Sequence, residues 1–423
     1  MKPGVVISTD YSDFFFNSAP FESISNMTKL TASKITEIIT SSAALRCRFT
    51  LQPAGGEGDK VFPPTYLDAK YACEDRTVVV DGEAKSVPCV LLDSVQSQAN
   101  RMEDALQDAL DYGKIQLPIV AVDFSDVTLI DPIGKITSLQ APHRIADAIL
   151  RDSEFQGVPF RKSELGKQID NVSIRNATPL FSLCPTALVF GVWDSTGPKG
   201  GLGAKFARAL VSEIIGYDVK PGVKTGSRID PLQIRAGAKV KINKKDSTWT
   251  LAKAGAKDGK SPSEVNHGNI PPTIDSNAGG VTVSRAEQTT VISVPALRKL
   301  KFPIDGQYKV EYDHAAQAVL LSLGLVAVTL AAESGQDLRS RCLLWPSEAP
   351  TWELLGKPGT DTEKFEISAD EAISLYEAAV ISAVDVGLPY NTDPIELTPG
   401  KQLVELLQRS QEIAASVGSE GNE

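Results

Sequence analysis

Three observations point to an α+β fold. Short apolar runs that read as strands are mixed with stretches of helical period, and the two do not alternate regularly as they would in a doubly wound sheet. The chain has 423 residues, of which 42% are hydrophobic, so at least one large core can be buried. Its acidic C-terminal part carries two helix signatures and few strand signals.

The elements follow in order. Residues 87–92 form a short apolar run that reads as a strand. From Val95 onward, Val95, Ala99, Met102, Leu106 and Ala109 recur at helical spacing until Gly113, with Asn100 and Arg101 off the apolar face. Residues 119–124 read as a second strand. Residues 142–151 open with Pro142, which suits a first helical turn, and one helical stripe would collect His143, Arg144, Asp147 and Arg151. Residues 186–193 read as a buried strand running into a glycine-rich turn. Residues 204–215 then place Phe206, Ala207, Leu210, Val211 and Ile214 on one helical face, with Gly216 as a cap. Further strands are expected at 228–234, 281–294 and 341–345. The stretch 244–280 has little periodicity and is long for a connection, so it reads as a functional projection or a mobile loop. Residues 315–332 read as a buried, alanine-rich helix; they are interrupted by Gln317, Ser322, Gly324 and Thr329 and lack flanking basic clusters, which argues against a membrane span. A capping box, Ser368 to Glu371, opens one C-terminal helix, and Thr398-Pro399 precedes another that aligns Leu403, Leu406, Leu407 and Ile413.

The net charge is −10, but it is unevenly spread. Residues 196–245 hold eleven Lys/Arg against three acids, a local balance of +8, whereas residues 348–423 hold four against fifteen, or −11. An acidic average thus conceals one basic stretch suited to an anion. Five cysteines, Cys47, Cys73, Cys89, Cys184 and Cys342, are scattered without a C-x-x-C pair, which fits free thiols in a reducing cytosol and excludes a zinc knuckle. The N-terminal residues have no uninterrupted apolar run of signal-peptide type, and a cytoplasmic location is expected.

The glycine-rich turn has the sharpest chemistry. Gly197-x-x-Gly200-Gly201-x-Gly203-x-Lys205, entering a helix, would let backbone N–H groups approach an anion while Lys199, Lys205 and Arg208 supply charge. A nucleotide P-loop fails because Ala204 follows Gly203 and Phe206 follows Lys205; a dinucleotide fingerprint fails because Phe206 replaces its third glycine. The alternative is a glycine-rich loop needed only for tight turns. His143 and Arg144 could contact a phosphate or a base, or simply sit at a helix start. Metal hydrolysis and serine catalysis lack their motifs. Asp123, Asp126 and Asp131 could bind Mg²⁺, although carboxylates at turns are usually only solvated. Aromatics are 6% of residues, which favours backbone contact over base stacking.

Four blocks occur in order: Ser94-Val-Gln-Ser-Gln-Ala-Asn-Arg-Met-Glu103, Thr137-Ser-Leu-Gln-Ala-Pro-His-Arg-Ile-Ala-Asp147, Ala187-Leu-Val-Phe-Gly-Val-Trp-Asp-Ser195 with its glycine-rich tail, and Ser212-Glu-Ile-Ile-Gly-Tyr-Asp218. Together, across residues 88–232, they resemble the RAMP-superfamily backbone subunit of CRISPR type I-G (formerly I-U) surveillance complexes, which are Cascade-like. The resemblance implies an RRM-like (ferredoxin-like) palm with inserted finger and thumb elements, assigned to residues 1–345; the acidic segment 346–423, which the resemblance does not reach, reads from its own helix signals as largely helical and packed on the same body. It implies a non-catalytic protein of antiviral defence. Copies would stack along CRISPR RNA, hold its sugar-phosphate backbone, leave the bases free to pair with target DNA, and contact other effector subunits. Asn100, Arg101, His143, Arg144, Lys199, Gly200, Gly201, Gly203, Lys205 and Arg208 are then the RNA-contacting candidates, and 244–280 is, by its length and not by a motif, the candidate thumb-like projection. No cofactor, metal or membrane is expected. The alternative is a metal-dependent endoribonuclease of the same superfamily, working through Asp123, Asp126 or Asp131.

Overall fold

The computed structural model describes residues 28–195, 203–243, 248–253 and 259–418. Helix α1 (Ala32–Ser41) leads into β1 (Ala44–Pro53), and the hairpin of β2 (Cys73–Val80) and β3 (Glu83–Asp93) feeds α2 (Val95–Asp111). Then come β4 (Val120–Asp123), β5 (Lys135–Thr137), β6 (Ser153–Phe155), β7 (Leu210–Tyr217), β8 (Lys224–Arg228), β9 (Ile270–Asp275) and β10 (Arg285–Ser293). The rest is α3 (Val310–Glu333), β11 (Leu343–Pro346), β12 (Trp352–Leu355), β13 (Glu363–Phe365), α4 (Ala369–Asp385), β14 (Ile395–Pro399) and α5 (Lys401–Gly418). Shorter elements are named by their residues.

The α+β expectation holds. Among the described residues a nine-stranded antiparallel sheet runs Gln336–Asp337, β11, β1, β10, β7, β3, β2, with β12 pairing the other half of the β1 edge and β13 beyond it. Along the chain, β1, α2, β7, β10, α3 and β11 form a β-α-β-β-α-β series, and its four strands lie side by side as β11, β1, β10, β7. β1 alternates with a period of two: Leu45, Cys47, Phe49 and Leu51 enter the core, while Arg46 and Arg48 reach Glu353 and Glu287 across the opposite face at 2.6 and 2.7 Å. On that face Arg76 adds a bridge to Glu213 at 2.9 Å.

The two long helices cover the core face. α3 is buried from Ala316 to Thr329 and lies on β7 and β10. A Cβ on its Gly324 would stand 3.3 Å from Ile292 Cδ1 and 3.4 Å from Leu210 Cδ1, so the glycine sets how close helix and sheet approach. By length and composition α3 could cross a membrane; here 78% of its most apolar window is buried inside the protein, as a core helix. α2 packs beside it, and α4 lies along its other flank. The C-terminal part is woven into the molecule: β12 and β13 extend the main sheet, and β14 inserts between β4, to which it is parallel, and β6 in a second sheet. The expected capping box is present, with Ser368 Oγ accepting from the Glu371 amide at 3.3 Å and Glu371 Oε2 accepting from the Ser368 amide at 3.1 Å.

Three expectations within residues 142–215 are corrected. Residues 186–193 are not one strand; Pro185 starts a helical turn, Thr186–Val189, and only Val192–Trp193 is extended. A short run buried on all sides gives no periodicity by which to choose. Residues 204–215 are not a helix. They form the two-residue strand Lys205–Phe206 and then β7, where Leu210, Ser212 and Ile214 face the core between β3 and β10. The β-branched Val211, Ile214 and Ile215 suit that sheet, and Gly216 is a strand residue whose Cβ would lie 2.7 Å from Val283 Cγ1, not a cap. Residues 142–151 do not form one helix either: a 3-10 turn, Arg144–Ala146, and a single α-turn, Ala148–Arg151, are split at Asp147. Asp147 caps the second turn through Ile149 N and accepts the His143 amide, while Arg144 adopts a left-handed φ of 53°.

Between β7 and β10 the chain leaves the sheet. β8 pairs with β9, and Val240–Ile242 pairs with Trp249–Leu251. The described part of 244–280 therefore belongs to a longer projection whose outgoing strand β8 begins at Lys224, while residues 244–247 and 254–258 of that stretch lie outside the described residues. The strand expected at 228–234 ends at Arg228; beyond it Asp230 turns the chain by accepting the amides of Leu232, Ile234 and Gly268.

Candidate functional site

The ribbon Val192–Trp193/Lys205–Phe206 organises a cleft of about 750 Å³. Antiparallel pairing places Val192 opposite Phe206 and Trp193 opposite Lys205. Alternation sends the first pair into the core, at 9% and 5% exposure, and the second outward. The Lys205 ammonium lies 5.1 Å from the centre of the Trp193 ring. The other wall comes from the broken turns at 142–151 and the exposed side of α2, which contribute His143, Arg144, Arg151, Gln96 and Asn100.

Arg144 underlies this surface. Its residue is 6% exposed, its guanidinium takes Glu103 in two 2.6 Å hydrogen bonds, and its remaining terminal nitrogen donates to Gly191 O at 3.0 Å. Burial pushes the Glu103 carboxyl up to about 7 while Arg144 pulls the other way. Gly191, at φ 82°, lets the chain bearing Arg208 pass closely: a Cβ there would meet Arg208 Cγ and N and Phe206 O, each at 3.0 Å. Arg208 thus lies near the Arg144–Glu103 pair, both members of which act on it electrostatically. It is exposed and makes no hydrogen bond or ion pair to another described residue. Partial burial, and then the neighbouring Arg144 guanidinium, push it below its ordinary value. These are the surroundings of a cation without a carboxylate of its own. The cleft lining contains Arg144, Arg151, Lys205 and Arg208 and, among the described residues, no Asp or Glu, but Arg144 is paired with Glu103 and Arg151 with Asp152 at 2.8 Å just behind it, which leaves Lys205 and Arg208 as the cations without a carboxylate.

Of the ten sequence-predicted residues, Asn100, His143, Arg144, Lys205 and Arg208 meet in this cleft. Gly203 lies in the bend entering Lys205–Phe206, and Lys199, Gly200 and Gly201 lie outside the described residues. Arg101 is elsewhere. It pairs with the fully buried Asp93 at 2.9 Å and donates to the carbonyls of Asp337 and Leu338, tying α2 to the sheet's edge. The helix N-terminus that was to receive an anion after the glycine-rich turn is a strand, so side chains, not a helix dipole, supply the positive field here. Asp123, Asp126 and Asp131 do not line the cleft. Trp193 and Arg151 were not singled out from sequence as contact residues; Trp193 becomes conspicuous only once its ribbon register is known.

A family model described as CRISPR-associated protein GSU0053 matches residues 45–221, a segment containing every cleft residue named above. Over that segment, which is less than half of the chain, the protein is similar to this CRISPR-associated family. A comparison with curated proteins returned no match.

Proposed function

We propose that this chain is a non-catalytic, RAMP-superfamily backbone subunit of a type I-G, Cascade-like effector, and that its copies assemble along CRISPR RNA in the cytoplasm. The cleft that presents Lys205 and Arg208 without carboxylate partners among the described residues, beside the carboxylate-paired Arg144 and Arg151, is the observation that carries this reading. Such a surface suits a polyanion held by its phosphates, which fixes position without reading sequence and leaves base edges free for target DNA. The side-by-side order β11, β1, β10, β7, with α2 and α3 on one face, is what an RRM-like palm requires and supports that part of the reading. The projection carried by β8 and β9 fits a thumb-like element. It exposes Ile229, Leu232, Leu251 and Ile274, apolar surface suited to a partner.

The test is RNA binding against salt. The double substitution Lys205→Ala/Arg208→Ala removes two phosphate contacts, so the slope of log K against log salt should flatten by about 1.4 on single-stranded RNA. An unchanged slope would remove these residues from the grip. Complementary RNA incubated with the assembled complex and Mg²⁺ should stay intact; periodic cleavage would instead favour the endoribonuclease reading.

A further inference from the structure

The geometry points to Trp193 as a stacking platform for one nucleobase of the bound strand, so that the cleft holds a base face as well as phosphates; this rests on the RNA-binding reading above. Trp193 is 55% exposed; Trp249 and Trp345 are also exposed, at 44% and 61%, but of the tryptophans Trp193 alone lines this cleft. Its exposure follows from ribbon register: Val192 and Phe206 occupy the core side, leaving Trp193 and Lys205 on the cleft side. An exposed indole among Lys205, Arg208 and His143 offers a π-face beside cations that a phosphate would engage. Alternating phosphates and bases is the chemistry of a single nucleic-acid strand. Lys205, over the ring at 5.1 Å, is placed to bind the phosphate adjoining the stacked base. Stacking is tolerant of base identity, so the platform adds affinity without reading sequence, consistent with a subunit that must accept any guide.

Binding of oligoadenylate and of an equally long oligomer of abasic ribose-phosphate spacers separates the two contributions. Trp193→Ala should weaken oligoadenylate binding roughly five- to a hundred-fold and the abasic oligomer far less, since there only the Lys205 contact with the ring is lost. Trp193→Phe should retain most of the oligoadenylate affinity, with thermal melting of both variants close to the parent. Arg208→Ala should weaken both ligands. Equal loss on both ligands for Trp193→Ala, or loss on neither, overturns the platform. An Arg208→Ala variant that binds both ligands normally overturns the phosphate grip and leaves the result for Trp193 separately readable.

Discussion

Arg208 owes its position to buried residues. Glu103 holds Arg144 through two hydrogen bonds, Arg144 holds the Gly191 carbonyl, and Gly191 lets Arg208 pass closely. Glu103→Ala should therefore act in two ways. It leaves the Arg144 guanidinium buried without its carboxylate, which should cost about 3–5 kcal/mol of stability, measurable by chemical denaturation. It should also weaken RNA binding in the fraction that remains folded, because the support of Arg208 is lost. A loss of less than about 1 kcal/mol would show that the pair is not buried as described. Gly191→Ala tests the same support from the backbone side. Its φ of 82° and its contacts with Arg208 should make even one methyl group destabilising, by about 1–3 kcal/mol.

Elements with strong periodicity or explicit caps were legible in the sequence, and elements set by tertiary pairing were not. The period of α2 stands in Ala99, Met102, Leu106 and Ala109, and its stop falls near Gly113. The capping box of α4 was readable from Ser368 and Glu371. Replacing Ser368 with Ala should cost about 1 kcal/mol. Hydrogen bonds from the Ser368 amide and hydroxyl hold the Glu371 carboxyl below its ordinary value. The box's contribution is accordingly present above the unfolded carboxylate value and lost as pH falls through the lower folded one, and Ser368→Ala should flatten that part of the acid-unfolding curve. By contrast, residues 204–215 offered a helical spacing that strands on both sides overrode, since β7 is flanked by β3 and β10. The cleft was half legible for the same reason. Residue types announced an anion at Lys205 and Arg208, but only the fold brings them to His143 and Asn100 while turning Arg101 toward Asp93.

Across the whole molecule, charge is segregated. The net charge of −10 coexists with a cleft whose charged lining is cationic, and the acidic C-terminal part is built into both sheets through β12, β13 and β14. Affinity for RNA should therefore depend on the cleft's local field, not on total charge, and should fall steeply with salt. The most direct measurement is the nucleic acid that copurifies when the chain is produced together with its complex and guide. RNA of uniform, guide length should accompany the parent protein and be largely lost from the Lys205→Ala/Arg208→Ala variant. A parent protein free of RNA, or a double variant that keeps its full complement, would contradict a guide held in this cleft.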